Sequence, residues 1–258
     1  MTVSAEPVPA NASPDPAPFD LPGSGAAVAL CLHGLTGTPY EVRPLAEAIA
    51  ATGIRALGPV LPGHNETPER LAEVPYTDWL DSARSHFHRL RAECERVFVV
   101  GLSLGGLLAL ALAQEERVDA LVAIGTPLKF SHPLACLIPL VKYIRPLPRK
   151  RYGSDIRDSA ARRRHPSYDR MPMNSVHEMQ RLQRRVRPGL ARITAPILIA
   201  HGAHDRTANP ADAATIRDSV SSEVREYILL ASSSHIVPVD VDGADLASAV
   251  ADFLVQHV

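Results

Sequence analysis

Ser103 stands at the centre of Gly101-Leu102-Ser103-Leu104-Gly105, preceded by Val97-Phe98-Val99-Val100 and followed by an apolar, alanine- and leucine-rich run to Ala113. Strand, sharp turn and helix form the context in which G-x-S-x-G presents a serine hydroxyl on a strained elbow. Glycines two residues either side remove side chains that would collide with that strand or helix. A serine hydroxyl is a weak nucleophile at neutral pH, so it needs a base to take its proton and a third group to orient the base. Functional groups in an open α/β sheet collect at the carboxyl ends of strands. Asp205 follows the strand predicted over Pro196 to Ala200, and His235 follows the one predicted over Arg225 to Leu230. The order Ser103, Asp205, His235 is the one expected of a strand–elbow–helix fold, not of the trypsin-like or subtilisin-like arrangements.

Other titratable residues fit these roles less well. His201 and His204 precede or adjoin the acid, His33 precedes the nucleophile, and Asp240 and Asp242 follow the base. His201-x-x-His204-Asp205 lacks the further partner a metal site requires, so no metal is expected. His64 lies on a polar loop and reads as structural. A developing oxyanion needs preorganised N–H donors, one from the residue after the nucleophile and one from the loop after the first main strand. Those donors are the backbone amides of Leu104 and, in His33-Gly34-Leu35, of Leu35.

The elements that must position these groups follow from hydrophobic periodicity. Ala26 to Leu32 is a continuous apolar run, as for a parallel strand buried on both faces. Val42, Leu45, Ala46 and Ile49 recur at helical spacing, and Ile54 to Leu57 is a short strand. Tyr76 to Cys94 reads as a helix whose Trp79, Ala83, Phe87 and Leu90 stripe faces the core. Asp119 to Ile124 is a further buried strand. Beyond the predicted strand at Pro196, helices are expected from about Pro210 to Val220 and from Ala244 to Val255. Alternating strands and helices imply an α/β fold with a parallel sheet and right-handed crossovers.

From Pro127 to Arg192 that alternation breaks. Leu134, Leu137, Ile138 and Val141 predict an amphipathic helix bent at Pro139. Ser175-x-x-Glu178 reads as a capping box opening a second helix. The expected organisation is a flexible tail over 1–18, a core over 19–127 and 193–258, and an inserted helical cap over 128–192. Leu134, Leu137, Ile138 and Val141 are candidate acyl-pocket residues on that cap, with packing onto the core as the alternative.

Composition narrows the function classes. With 258 residues and a net charge of −1, the chain suits one domain, and its overall charge argues for neither nucleic acid nor membrane. Cys31, Cys94 and Cys136 are odd in number and lack C-x-x-C spacing, which fits reduced thiols and a cytoplasmic location. No apolar run reaches the roughly 18–20 residues of a membrane span, and the Pro- and Ala-rich N-terminus lacks the basic and apolar regions of a secretory signal. Lys142 to Arg192 holds 15 Lys and Arg against 4 Asp and Glu. That excess allows a weak contact with anionic lipid, but no nucleic-acid motif accompanies it, and a solvated face is the plainer reading.

Taken together, His33-Gly34-Leu35-Thr36-Gly37-Thr38-Pro39, Pro62-Gly63-His64-Asn65, the Ser103 elbow, Ala203-His204-Asp205-Arg206 and Ser232-Ser233-Ser234-His235 resemble the bacterial carboxylesterases and monoacylglycerol lipases of the α/β-hydrolase superfamily. The resemblance runs from about Phe19 to the C-terminus. It departs at Asn65 and Ser234, where relatives carry glycine. It implies an α/β-hydrolase fold with a mostly parallel central sheet, flanking helices and an inserted cap. It also implies Ser103, Asp205 and His235 as catalytic residues, Leu35 and Leu104 as oxyanion donors, and no cofactor. The expected reaction is hydrolysis of small carboxylic esters of short to medium acyl chains through an acyl-enzyme, with monoacylglycerol or thioester hydrolysis as the alternative. A catalytically inactive binding protein displaying the basic cap is the rival from another class.

Overall fold

The computed structural model describes residues 14–130, 133–151 and 153–258. Most of the segment expected to be a tail lies outside these residues. Among the described residues seven strands form one sheet. Its members are β1 (Phe19–Leu21), β2 (Ala27–Leu32), β3 (Arg55–Gly58), β4 (Arg96–Leu102), β5 (Ala120–Ile124), β6 (Ile197–Gly202) and β7 (Arg225–Leu230). The order across the sheet is β1-β3-β2-β4-β5-β6-β7, parallel except for β1, which runs antiparallel to β3 at one edge. The buried runs of β2, β4, β5 and β6 occupy the middle, covered on both faces, which is why they read as apolar throughout. β1 is too short to register as a strand in the sequence; Phe19 brings it to the core by packing against Gly58.

Two helical layers enclose the sheet. On one face lie α1 (Arg43–Ala51) and α9 (Gly243–Val255), which pack against each other through residues such as Leu45, Ile49, Val250 and Phe253. The other face is covered by α3 (Tyr76–Glu93), α4 (Leu104–Glu115) and α8 (Ala211–Ser219). α4 is buried from Leu104 to Ala113, so its alanine- and leucine-rich sequence needs no polar face. The α3 stripe is core as expected, and Trp79 Nε1 donates to Pro62 O at 3.1 Å. A short helix that the sequence reading did not assign, α2 (Pro68–Glu73), follows the His64 loop with Thr67 as its N-cap.

Between β5 and β6 come α5 (Ile138–Ile144), α6 (Ser159–Arg164) and α7 (Met173–Val186). Two local expectations fail here. The helix predicted to bend at Pro139 is instead a 3-10 turn over Pro133–Leu137 followed by α5, with Pro139 in the first turn of α5, where its missing N–H costs nothing. The capping box does not form either, because α7 begins before Ser175, with Pro172 as its N-cap. Ser175 and Glu178 lie inside the helix, turned towards neighbours: Ser175 Oγ donates to Leu71 O at 2.9 Å, and Glu178 accepts from Tyr76 N at 3.2 Å. Buried donors and acceptors on α2 and α3 claim both side chains, and that outweighs a local cap. α7 also packs on α4, through Met179, Leu182 and Val186, so this segment shares the main core.

Candidate active site

β4 delivers Ser103 into a turn that most residues avoid, with φ 54° and ψ −108°. The glycines around it are sterically required. A Cβ on Gly105 would stand 2.0 Å from Leu32 O, and one on Gly101 would stand 2.2 Å from Gly105 O. Both obstacles are backbone, so neither can yield. Ser103 N donates to Ile124 O at 2.8 Å, which ties the turn to β5. Leu104 opens α4, so its amide sits at the positive end of a helix beside the serine.

Asp205 and His235 arrive from neighbouring loops after β6 and β7. His235 Nδ1 donates to Asp205 Oδ2 at 2.7 Å. Asp205 Oδ1 accepts from Thr207 N and Ala208 N, each at 2.8 Å, and His201 Nε2 lies 2.9 Å from Oδ2. Burial opposes ionisation of Asp205, but the adjoining imidazoles and backbone N–H groups outweigh it and hold the carboxyl well below its usual range. For His235 burial likewise disfavours the charge, yet Asp205 raises its pKa above the ordinary imidazole value. The imidazole lies against Gly125, where an added Cβ would come within 3.3 Å of Nδ1. Its loop is held by Asp240, which accepts from Ser234 N at 2.7 Å, and by Asp155 O, which accepts from His235 N and Ile236 N.

Ser103 and His235 open onto one cavity of about 560 Å³. Its apolar wall includes Leu35, Phe130, Met171, Met173, Val176 and Met179. The polar wall includes Thr36, Glu41, Lys150, Ser154 and Ser167. Leu134, Leu137, Ile138 and Val141 are absent from the lining: Leu134 and Leu137 are exposed, Ile138 is buried and Val141 is half-buried. Most of the residues that instead form the apolar wall come from the loop before α7 and from α7 itself, joined by Phe130 from the segment after β5. Helical periodicity shows that a face is apolar but not which cavity the face meets.

The competing histidines have other occupations. His33 Nδ1 donates to Gly34 O at 2.9 Å while Nε2 accepts from Leu61 N at 3.1 Å, which fixes a neutral ring beneath the loop bearing Leu35. Burial lowers its pKa, and pushes that of His64, packed between His33 and Trp79, down to about 3. Among the described residues no group of three or more His, Cys, Asp or Glu could hold a metal ion. Sequence reasoning missed Glu41. It is buried, accepts from Gly34 N at 2.8 Å through Oε2, and pairs through Oε1 with His165 Nε2 at 3.0 Å. His165 in turn meets Ser154 Oγ at 2.7 Å, so one carboxylate braces the loop bearing Leu35 against the segment between β5 and β6. A single acid one turn ahead of a helix carries no signal of this, since its partner lies 124 residues away.

A hydroxyl on a strained turn, an imidazole whose far nitrogen is held by a carboxylate, and backbone amides nearby are the parts needed for acyl transfer. A family model named Hydrolase_4 and described as serine aminopeptidase, S33, matches residues 23–242. The thermostable monoacylglycerol lipase of Bacillus sp. (strain H-257) is 29% identical over 91% of this chain and 92% of its own. The carboxylesterase of Bacillus subtilis (strain 168) is 26% identical over 93% of this chain and 96% of its own. A solved structure from work on LipS and LipT, two metagenome-derived lipolytic enzymes, superposes with a TM-score of 0.89 at 25% identity, covering 95% of this chain and 99% of that one.

Proposed function

The chain belongs to this serine hydrolase family, and from that premise we propose that it hydrolyses carboxylic esters of short to medium acyl chains through an acyl-enzyme formed on Ser103. The observation that carries the reading is Ser103 on its strained turn sharing a cavity with a His235 held by Asp205. In the first step His235 Nε2 takes the Ser103 proton as Oγ attacks the ester carbonyl. The Leu35 and Leu104 amides receive the oxyanion, and His235 returns the proton to the departing alcohol. In the second step His235 deprotonates water as it attacks the acyl-serine carbonyl, then returns that proton to Ser103 Oγ as the acyl–oxygen bond breaks and the carboxylic acid leaves. Asp205 keeps the imidazole in the tautomer that leaves Nε2 free to accept. The apolar wall of Phe130, Met171 and Met173 suits an acyl chain.

Monoacylglycerol or thioester hydrolysis uses the same steps with another leaving group; the resemblance to the Bacillus sp. (strain H-257) lipase favours the former as a second reading. The domain reading follows: residues 19–127 and 193–258 supply the catalytic frame, and 128–192 act as a cap over the cavity. Exposed Leu140, Tyr143 and Ile144 on α5, within a segment rich in arginine, support a weak contact with anionic lipid that high salt would abolish in a liposome sedimentation assay. No described helix is long and apolar enough to cross a membrane. Cys31, Cys94 and Cys136, which form no disulfide among the described residues, support a cytoplasmic location.

A fluorophosphonate probe tests the central assignment. Stoichiometric labelling at Ser103, with loss of labelling in His235→Ala, is expected. An unlabelled wild-type protein would instead mark an inactive binding protein.

A further inference from the structure

Lys150 is a cavity residue that the ester-cleaving steps do not use. Its Nζ donates to Thr36 Oγ1 at 2.6 Å and to Ser167 Oγ at 2.7 Å. Ser167 Oγ donates onward to Thr36 O at 3.1 Å. Thr36 directly follows Leu35 and has φ 65°, a left-handed conformation that a β-branched residue adopts only when its surroundings hold it there. The ammonium is therefore pinned beside the loop that supplies the proposed oxyanion donor, facing the same cavity as Ser103.

An ammonium has three N–H donors and a full charge. Two hydroxyls satisfy two donors and none of the charge. Among the described residues no further acceptor reaches Nζ, and no carboxylate lies within ion-pair distance of it. Glu41 and Asp169 attract it from farther away, but Glu41 is already engaged by Gly34 N and His165. Burial lowers the ammonium to about 8, which reflects the cost of holding that charge in the cavity wall. A neutral hydroxyl from a ligand would fill the third donor and leave the charge uncompensated. A carboxylate would do both.

We propose that Lys150, held by Thr36 and Ser167, is a specificity residue that receives a carboxylate carried by the substrate in addition to its scissile ester. The favoured substrates are then acidic esters, either half-esters of dicarboxylic acids or esters of hydroxy acids. This rests on the ester-hydrolase reading above. Hydrolysis itself is unchanged: the acyl–oxygen bond breaks at Ser103 and the additional carboxylate remains a spectator that orients the molecule.

Matched pairs test it on each side of the scissile bond. For the acyl side the pair is mono-4-nitrophenyl glutarate against 4-nitrophenyl pentanoate; for the alcohol side it is O-butyryl glycolate against O-butyryl glycolamide, followed by pH-stat. In at least one pair the carboxylate member should show a kcat/KM at least about tenfold higher, the value of one charge-assisted hydrogen bond. Lys150→Gln should lower that ratio about tenfold, and Lys150→Arg should retain most of it. No preference in either wild-type pair, or a preference that survives Lys150→Gln, overturns the proposal. So does a Lys150→Gln effect confined to glycerol monobutyrate, which would make this a hydroxyl site. Fluorophosphonate labelling runs beside every variant: labelled Ser103 with an unmoved ratio sinks Lys150 alone, whereas an unlabelled wild type sinks the hydrolase reading itself.

Discussion

The elbow region and the segment between β5 and β6 answer to different constraints. From Arg96 to Ala113 nearly every side chain is buried, two glycines are dictated by backbone atoms that an added Cβ would approach to 2.0 and 2.2 Å, and the serine is held at φ 54°. Along α5, by contrast, Leu140, Tyr143 and Ile144 are 58%, 77% and 69% exposed, and the segment meets the core mainly through α7. The first region is over-determined by packing and so can hold strain. The second is tied down by separate polar contacts, among them those of Ser175, Glu178, His165, Asp155 and Lys150, with exposed apolar surface on α5. Chemistry that needs sub-ångström placement is proposed for the former, and Lys150, the proposed specificity residue, sits where the two meet.

The sharpest way to break this contrast is Ser103→Ala. Turnover of 4-nitrophenyl butyrate should fall about 10⁵- to 10⁶-fold with the thermal midpoint nearly unchanged, because the hydroxyl carries chemistry and little packing. Residual activity within tenfold of wild type would remove the elbow from the mechanism.

Asp205→Asn should cost about 10⁴-fold in kcat, since the amide favours the wrong imidazole tautomer. It also sharpens the electrostatics. In the wild type kcat/KM should fall as pH drops through a His235 pKa above the ordinary value near 6.5, where the base becomes protonated. Removing the Asp205 charge leaves burial, which disfavours imidazolium, opposed by the weaker pull of Asp155 and Glu41, so the acid limb should move to lower pH. An acid limb that stays in place would mean that another group titrates.

Gly105→Ala probes rigidity instead of chemistry. The new methyl group meets Leu32 O, part of a central strand that cannot move, so stability should drop by about 3 kcal/mol, read from urea denaturation. At the far end of the scale, Leu140→Ser on α5 should change stability by less than about 0.5 kcal/mol. A large loss there would show that α5 is held as firmly as the elbow and would dissolve the contrast.

Much of the catalytic frame was readable along the chain, and the polar wall of the cavity was not. β2, β4, β5 and β6 announce themselves because a strand covered on both faces must be apolar throughout, and the elbow announces itself because only glycine fits beside it. β1 was missed because three residues are too few for a pattern, and α7 was opened too late because Ser175 and Glu178 answer to α2 and α3 and not to their own helix end. Sequence alone therefore determined the central buried strands, the strained turn and the placement of Ser103, Asp205 and His235 just past strand ends, since each follows from local sterics or periodicity. Only the tertiary structure decided that Glu41 braces the Leu35 loop against His165, that Met171, Met173 and Met179 line the cavity while Leu134, Leu137, Ile138 and Val141 do not, and that Lys150 stands over Thr36. The Glu41 and Lys150 contacts join residues more than a hundred positions apart, and such long-range pairing is set by the packing of whole layers, which no local pattern encodes.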